Sequence, residues 1–238
     1  MLSAAEWAII GLSLKISLVA ILLTLPVAFA LAWVLARGRF PGRMLLDALV
    51  HLPLVLPPVV IGWLLLIAFG QSGPIGQWLQ SWLGVSVIFR WTGAAIAAAV
   101  MALPLMVRAI RLSIEAIDRR LEGAARTLGA SPWHAFRTIS LPLCLPGILA
   151  ATILGFARSI GEFGATITFV SNIPGETRTL PLAIYSELQV PGSETAVTRL
   201  AIIAIILSIG ALVASEWLAR RHSGAEVICS GATGGSRA

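Results

Sequence analysis

The sequence predicts an all-α polytopic membrane protein with about five transmembrane helices, and two observations carry this prediction. The first is composition, since 58% of the 238 residues are hydrophobic, 12% are charged and the mean hydropathy is +0.91. Soluble domains contain about 25% charged residues. The second is that five stretches of 16 to 42 residues contain no Asp, Glu, Lys or Arg, whereas a membrane-spanning helix needs about 20 apolar residues. A soluble globular domain and a disordered chain are both excluded.

The charge-free stretches predict spans at about 9–36, 46–69, 92–110, 143–170 and 200–219. The 42-residue stretch holds one span followed by turn residues, because Gln71 to Gly76 ends the helix. Residues 1–222 would form the transmembrane domain, with a loop at 111–142 between the third and fourth spans. The last residues, 223–238, are rich in Gly, Ser and Ala and are expected to be a disordered tail.

Arginine residues define the expected orientation. They concentrate after the first and third spans and after the fifth span: Arg37, Arg39, Arg43, Arg108, Arg111, Arg119, Arg120, Arg126, Arg137, Arg220 and Arg221. By the positive-inside rule these segments are cytoplasmic, which places the N-terminus outside and the C-terminus inside. The net charge of +6 is therefore explained by topology and not by binding to nucleic acid. A cleaved signal peptide is the alternative for the apolar run after Lys15, but the arginines at 37–43 argue against it.

The sequence contains no pattern typical of covalent chemistry. Lys15 is the only lysine, and no phosphate-binding G-x-x-x-x-G-K-[ST] segment is present. The histidines lack zinc-ligand spacing, and no nucleophile with a matching base is visible. His51 stands four residues after Asp47, and a helix-end ion pair is favoured there over a proton relay. We therefore expect no catalytic residue, no metal site and no cofactor bound by this chain.

The loop at 111–142 is predicted to be helical. Apolar residues recur at helical spacing from Arg111 to Leu128, Gly129 then ends the helix, and Ser131-Pro132 has the form of an N-cap with proline at the first helical position. The small residues near the end of this helix would allow another surface to approach closely. An ordinary helical hairpin between two spans is the simpler alternative.

The loop also carries a family motif. The segment Glu122-Gly123-Ala124-Ala125-Arg126-Thr127-Leu128-Gly129 is separated by nine residues from Ile139-Ser140-Leu141-Pro142. This pattern resembles the EAA loop of bacterial ABC importer permeases. The glutamate lies one position earlier than in the strict pattern, and Gly123 replaces the usual Glu or Ala. The resemblance implies the type I, MetI-like permease fold and a coupling helix that docks on a separate ATPase subunit, which binds the ATP and Mg. It assigns ATPase coupling to Glu122, Gly123, Ala124, Ala125, Leu128 and Gly129.

Further segments are similar to molybdate permease subunits, and the resemblance extends over about residues 10–220. They are residues 52–62, 70–76, 156–166 and 172–185. Sulfate and thiosulfate permeases share the third segment in a looser form. The resemblance implies import of molybdate, with sulfate, thiosulfate or tungstate as alternatives. It also implies location in the bacterial inner membrane, with a periplasmic N-terminus and a cytoplasmic C-terminus. The implied partners are two ATPase subunits and a periplasmic molybdate-binding protein, besides membrane lipid.

Candidate residues for the translocation pathway or its gate lie in the second, third and fourth spans. Pro57, Pro58 and Pro104 should kink or locally unwind their helices and leave backbone groups that a water-filled cavity can satisfy. Because five helices make only half a conduit, we expect a two-fold homodimer with the pathway at its interface.

The fourth span contributes a pair of ionisable residues. Arg158 and Glu162 are four residues apart near mid-membrane, where such groups usually face the bundle interior. They are either part of the pathway or gate, or a self-neutralising pair that fixes helix packing, and both alternatives stay open. Gly161 and Ala165 form a small-x-x-x-small surface typical of helix contacts, and Gly164 lies between them as a further candidate.

Two other classes of function are weighed against an ATP-driven importer. A secondary transporter or channel working alone would explain the spans and the Arg158–Glu162 pair but not the EAA-like loop. A membrane-embedded enzyme would need a metal or nucleophile site that the spacing does not provide.

Overall fold

The computed structural model describes residues 3–210 and residue 213, and in these residues all regular structure is helical. This confirms the all-α prediction. The elements in chain order are α1 (Ala4–Arg37), α2 (Arg43–Val55), α3 (Pro58–Phe69), α4 (Pro74–Leu83), α5 (Trp91–Glu115), α6 (Arg119–Thr127), α7 (Pro132–Ala135), one π-helical turn (Phe136–Ser140), α8 (Leu141–Ile160), α9 (Gly164–Val170), α10 (Leu180–Glu187) and α11 (194–210).

Three continuous helical segments are long and apolar enough to cross a membrane. They are α1 with 34 residues, α5 with 25, and the segment Pro132–Ile160, which joins α7, the π turn and α8 over 29 residues. The pair α2 and α3 together has the length of a fourth span. The predicted fifth span begins inside α11. Its part beyond residue 210, except residue 213, and the predicted tail at 223–238 lie outside the described residues.

The second predicted span, 46–69, is two helices that meet at an angle of 115°. The break falls at Leu56 and Pro57, both in extended conformation, and Pro58 occupies the first turn of α3. Proline is favoured at that position because the first helical N–H groups have no intrahelical partner. The kink expected at Pro57-Pro58 is therefore a complete break.

The fourth predicted span, 143–170, is also interrupted, although its sequence predicts one continuous helix. Helix α8 ends at Ile160 and α9 starts at Gly164. The Glu162 carboxylate accepts the N–H of Ala165 at 2.9 Å, and a side chain that caps a new helix competes with continuation of the old one. Glu162 thus lies in the break and does not share a helix face with Arg158.

The prediction of a single helix from Arg111 to Leu128 is wrong. Helix α5 extends to Glu115, and a separate α6 starts after Asp118, whose side chain accepts the N–H of Arg120 at 2.9 Å. This N-cap fixes the new start. Helix α5 is continuous through the buried Pro104, so the unwinding considered for that position is absent.

Helix α5 forms the centre of the packing and lies between α1 and α8. Small residues permit this close approach, since a Cβ added to Gly155 of α8 would lie 2.6 Å from the Met106 sulfur of α5. The core of this half consists of Ala28, Ala32, Leu35, Met106, Val107, Ile110, Cys144 and Ala151, among others. A second core joins α3, α5 and α9 and includes Ile61, Leu65, Ala94, Ala98, Ala165 and Phe169.

Candidate functional site

The end of α6 presents the small residues of the EAA-like motif at the surface. Gly123, Ala124 and Gly129 are exposed, Ala125 is half-buried, and Leu128 is 89% exposed. Gly129 has φ +92°, a left-handed conformation that glycine adopts at little cost and that ends a helix. An exposed leucine beside small residues is a surface that a partner can cover without steric obstruction.

A shallow open groove of about 620 Å³ separates the end of α6 from α7. The N-cap Ser131 accepts the N–H of His134 at 3.2 Å, and Pro132 begins α7 as the sequence indicated. The groove is lined by Ala125, Leu128, Gly129, Ala130, Ser131, His134 and Thr138. The exposed residues of α6 and this groove together are called the α6 surface below.

Glu122 does not belong to the most exposed part of that surface. Its Oε1 atom accepts hydrogen bonds from Arg37 Nη2 at 2.9 Å and from Ser140 Oγ at 2.5 Å. Arg37 is the last residue of α1, and Ser140 immediately precedes α8. A second link joins α6 to α1, where Arg119 donates to the Ala36 carbonyl at 3.3 Å. The end of the bundle at which these residues lie is called the Arg37 end.

An aromatic cluster supports the same junction. The ring of Phe136, in the π turn, packs edge-on against Trp33 of α1 with centroids 4.9 Å apart and stacks on Trp133 of α7 at 5.3 Å. Aromatic pairs in these geometries contribute about 0.5–1.5 kcal/mol beyond their buried area. The segment after α6 is thereby held against α1.

The two interrupted spans meet at their breaks. A Cβ added to Gly164, the first residue of α9, would lie 2.7 Å from Pro58 Cβ at the start of α3. A Cβ added to Gly62 would lie 2.6 Å from the Ala165 carbonyl oxygen. The structure therefore brings the break at Pro57-Pro58 beside the break at 161–163, which the sequence could not show.

Arg158 and Glu162 form an ion pair in the structure. Arg158 Nη1 lies 2.6 Å from Glu162 Oε2, and the Glu162 side chain is only 2% exposed. Since its other oxygen accepts the Ala165 N–H, the two carboxylate oxygens of Glu162 have partners on both sides of the break, Arg158 in α8 and Ala165 in α9. The arrangement matches a self-neutralising pair that also caps a helix. The Arg158 side chain keeps 26% exposure.

Gly161 makes no contact with another helix within the described part of this single chain. A Cβ added there would have only the carbonyl oxygens of its own preceding turn nearby, the nearest being that of Ala157 at 3.9 Å. Gly161 is exposed in the described part of the chain, whereas Ala165 is buried against Gly62. The close packing at this break is made by Gly62 and Gly164.

Comparison with known proteins identifies the family. The family described as the binding-protein-dependent transport system inner membrane component matches residues 24–224. The chain belongs to this family. It is 58% identical to the molybdenum transport system permease protein ModB of Escherichia coli K12 over 219 residues, which cover 92% of this chain and 96% of that protein. It is also 58% identical to ModB of Haemophilus influenzae over 216 residues, 91% and 94% of the two chains.

Other similarities are more distant. The sulfate transport system permease protein CysT of E. coli K12 is 42% identical to this permease over 159 residues, 67% of this chain and 57% of CysT. The crystal structure of a bacterial ABC transporter involved in alginate import matches with a TM-score of 0.68 and 21% identity over 92% of this chain and 80% of that chain. The MetNI methionine ABC transporter in inward-facing conformations matches with a TM-score of 0.65 and 18% identity, covering 91% and 94%. These structures confirm the MetI-like permease fold.

A charged cluster at the Arg37 end of this permease was only partly anticipated. The expected pair is present, with His51 Nδ1 3.2 Å from Asp47 Oδ1. Arg111 of α5 joins it, with Nη1 3.0 Å from Asp47 Oδ1 and Nε 2.8 Å from Glu115 Oε1. Arg111 therefore links α2 to α5. Among the described residues, no group of three or more His, Cys, Asp or Glu could hold a metal ion.

Proposed function

We propose that this chain is the membrane-spanning permease subunit of an ATP-driven ABC importer that moves molybdate from the periplasm to the cytoplasm. The observation that carries the proposal is 58% identity to E. coli ModB over nearly the full length of both chains. The sulfate permease CysT is less similar, at 42% over a shorter region. Molybdate is therefore preferred over sulfate as the substrate, and thiosulfate and tungstate stay as the alternatives.

In this proposal ATP is bound and hydrolysed by a partner subunit, and this chain supplies the surface to which the partner binds. The α6 surface suits that role because its exposed leucine and small residues leave room for a close contact. ATP binding to the partner would shift the conformational equilibrium of the spans through this contact, by binding one conformation more tightly than the other.

The proposed assembly is a homodimer of this chain with two cytoplasmic ATPase subunits and a periplasmic molybdate-binding protein. The helices α2 and α3 expose large apolar side chains that lipid and a second copy would cover, namely Met44, Leu45, Val55, Val59 and Trp63. The chain would lie in the bacterial inner membrane with the Arg37 end in the cytoplasm, the N-terminus in the periplasm and the C-terminus in the cytoplasm, in agreement with the arginine distribution.

The proposed pathway runs beside the junction of the two breaks. Candidate lining or gating residues are Pro57, Pro58, Pro104, Arg158, Gly161, Glu162 and Gly164. Interrupted helices support this placement for the residues at the two breaks, because their unpaired backbone groups must face protein or water. Arg158 keeps 26% side-chain exposure although it is paired with Glu162, whereas Pro104 lies in the continuous α5 and has no such support. Replacing Pro57 and Pro58 with alanine should alter uptake while the complex still assembles. Unchanged uptake would remove these prolines from the pathway.

The substrate is tested by uptake in cells that lack the gene for this chain. We expect plasmid-borne expression to restore uptake of radiolabelled molybdate at low external concentration, and a tenfold excess of sulfate to compete poorly. Stronger restoration of sulfate uptake would assign the chain to the sulfate class. Molybdate transport into liposomes that contain this chain alone, driven by an ion gradient, would instead identify a stand-alone transporter.

The coupling surface is tested by copurification with the ATPase subunits. Leu128→Asp places a charge at the centre of the proposed contact and should abolish copurification. Thr127→Ser changes an exposed neighbour on the same helix by one methyl group and should leave it intact. Copurification of the Leu128→Asp variant at the wild-type level would show that the ATPase binds elsewhere.

A further inference from the structure

Glu122 joins three separate elements at the Arg37 end. One oxygen atom, Oε1, accepts both from Arg37 at the end of α1 and from Ser140 directly before α8. The Glu122 side chain is 27% exposed, whereas Leu128, which directly follows α6, is 89% exposed. The Glu122 carboxylate therefore forms its hydrogen bonds with residues of this same chain.

Arg37 and Ser140 both need the Glu122 carboxylate as a hydrogen-bond acceptor. The Arg37 side chain is 14% exposed and its guanidinium lies over the Trp33 ring at 5.6 Å. Ser140 is fully buried, and Glu122 is the only hydrogen-bond acceptor that the structure gives its hydroxyl among the described residues. Loss of the carboxylate would leave a partly buried cation and a buried hydroxyl without this acceptor, and unsatisfied buried groups are costly.

Helix α6 has little else to hold it in place. None of its residues is buried, so it lacks the apolar anchor that normally fixes a surface helix. Its other side-chain link to a transmembrane helix in the described structure is the hydrogen bond from Arg119 to the Ala36 carbonyl, at 3.3 Å. A helix of 9 residues would follow the spans less closely if the Glu122 bonds were lost, because only the Arg119 bond and the aromatic cluster around Phe136 would remain at this junction.

We propose that Glu122 is a positioning residue whose bonds to Arg37 and Ser140 transmit movement of α6 to α1 and α8, and that it is not a contact residue for the ATPase. This inference rests on the proposed function, since it concerns the same coupling helix. It separates two roles within the motif: the exposed residues bind the partner, and the glutamate connects the helix that they form to the spans.

The test uses the full complex of this chain with its ATPase subunits in proteoliposomes, with the binding protein and molybdate present. Glu122→Ala removes the acceptor, Glu122→Gln keeps a carbonyl oxygen that can accept both bonds, and Ser140→Ala removes one donor. Glu194→Ala, a carboxylate loss at the exposed first residue of α11, is the matched control. Copurification of the ATPase, ATP hydrolysis and molybdate uptake are measured for each variant.

We expect Glu122→Ala to copurify with the ATPase at the wild-type level, to hydrolyse ATP within about twofold of wild type, and to transport at least tenfold fewer molybdate ions per ATP. Glu122→Gln should recover transport to within about threefold. The double variant of Glu122→Ala and Ser140→Ala should be no worse than Glu122→Ala, because the two residues act as one unit.

Loss of ATPase copurification in Glu122→Ala would overturn the inference and make Glu122 a docking residue. Wild-type transport per ATP in Glu122→Ala would overturn it as well, by showing that α6 moves the spans without this link. Failure of the proposed function has a different signature, since the wild-type chain itself would then neither bind the ATPase nor transport molybdate.

Discussion

The contact between α3 and α9 leads to a quantitative prediction for Gly62→Ala. The added Cβ would lie 2.6 Å from the Ala165 carbonyl oxygen, 2.8 Å from Thr168 Cβ and 3.0 Å from Ala165 Cα. Ordinary van der Waals contact begins at 3.4 Å, so the two helices would have to separate by about 0.8 Å. Two of the three obstructing atoms belong to the backbone, and no side-chain rotation relieves them.

The cost follows from two opposing effects. Overpacking of a well-packed core costs about 1–3 kcal/mol, and backbone obstruction favours the upper end. Replacing glycine with alanine inside a helix increases stability by about 1 kcal/mol through helix propensity. The free energy of unfolding should therefore fall by about 2 kcal/mol, which corresponds to a decrease of about 4–8 °C in Tm for a chain of this size.

The assay is thermal unfolding of the purified protein in detergent, with Gly11→Ala as the matched control. Gly11 lies within α1 and an added Cβ there meets no atom within 4 Å, so this variant keeps the gain in helix propensity without the obstruction. Gly11→Ala should unfold at or above the wild-type temperature. Equal Tm values for the two variants would refute the close approach of α3 and α9.

Three further substitutions test other contacts, two by thermal unfolding and one by proteolysis. Ser13→Ala removes the acceptor of the buried Leu180 N–H, 2.8 Å away, and should cost about 1–3 kcal/mol; an unchanged Tm would mean that α10 is not held by α1. Thr177→Val removes a buried hydroxyl that accepts from Ile173 N at 2.8 Å, and should expose the 171–179 loop to protease at lower temperature than in wild type; equal cleavage would contradict its anchoring role. Asp47→Asn weakens a pair in which Asp47 is 39% exposed, and should lower stability by less than about 1 kcal/mol; a larger loss would show that the link between α2 and α5 is shielded from solvent.

The long helices could be predicted from local sequence because each contains one uninterrupted apolar stretch. Helix α1 and helix α5 contain the first and third predicted spans. The break at Pro57-Pro58 was also visible, since proline cannot donate a backbone hydrogen bond. Gly129 and Ser131-Pro132 indicated the end of α6 and the start of α7 for equally local reasons.

The break at 161–163 had no such local marker. It depends on Glu162 accepting the Ala165 N–H, and spacing alone placed Glu162 on one continuous helix with Arg158. The role of Gly62 likewise required knowledge of its neighbour on α9, which lies about a hundred residues further along the chain. Long-range packing selected among conformations that local sequence left open.

The partners of Glu122 were the largest omission at the coupling site. Arg37 precedes it by 85 residues, and Ser140 belongs to the Ile-Ser-Leu-Pro segment that served only as a motif element. In the sequence Arg37 was one of many arginines that were predicted to be cytoplasmic. A basic residue at a helix C-terminus is common for electrostatic reasons, so its pairing could be recognised only from the fold.

Helix α1 has 34 residues and is therefore about 51 Å long, considerably longer than the 30 Å or so of the bilayer hydrocarbon. One end is tied to α11, where Arg199 Nε lies 3.0 Å from Glu6 Oε1, and the other end carries Arg37. A tilt of about 10° around its midpoint would displace the two ends by roughly 4 Å in opposite directions. An inward shift of the Arg37 end would thus be accompanied by an opposite shift of the Glu6 end, which is the geometry that alternating access requires.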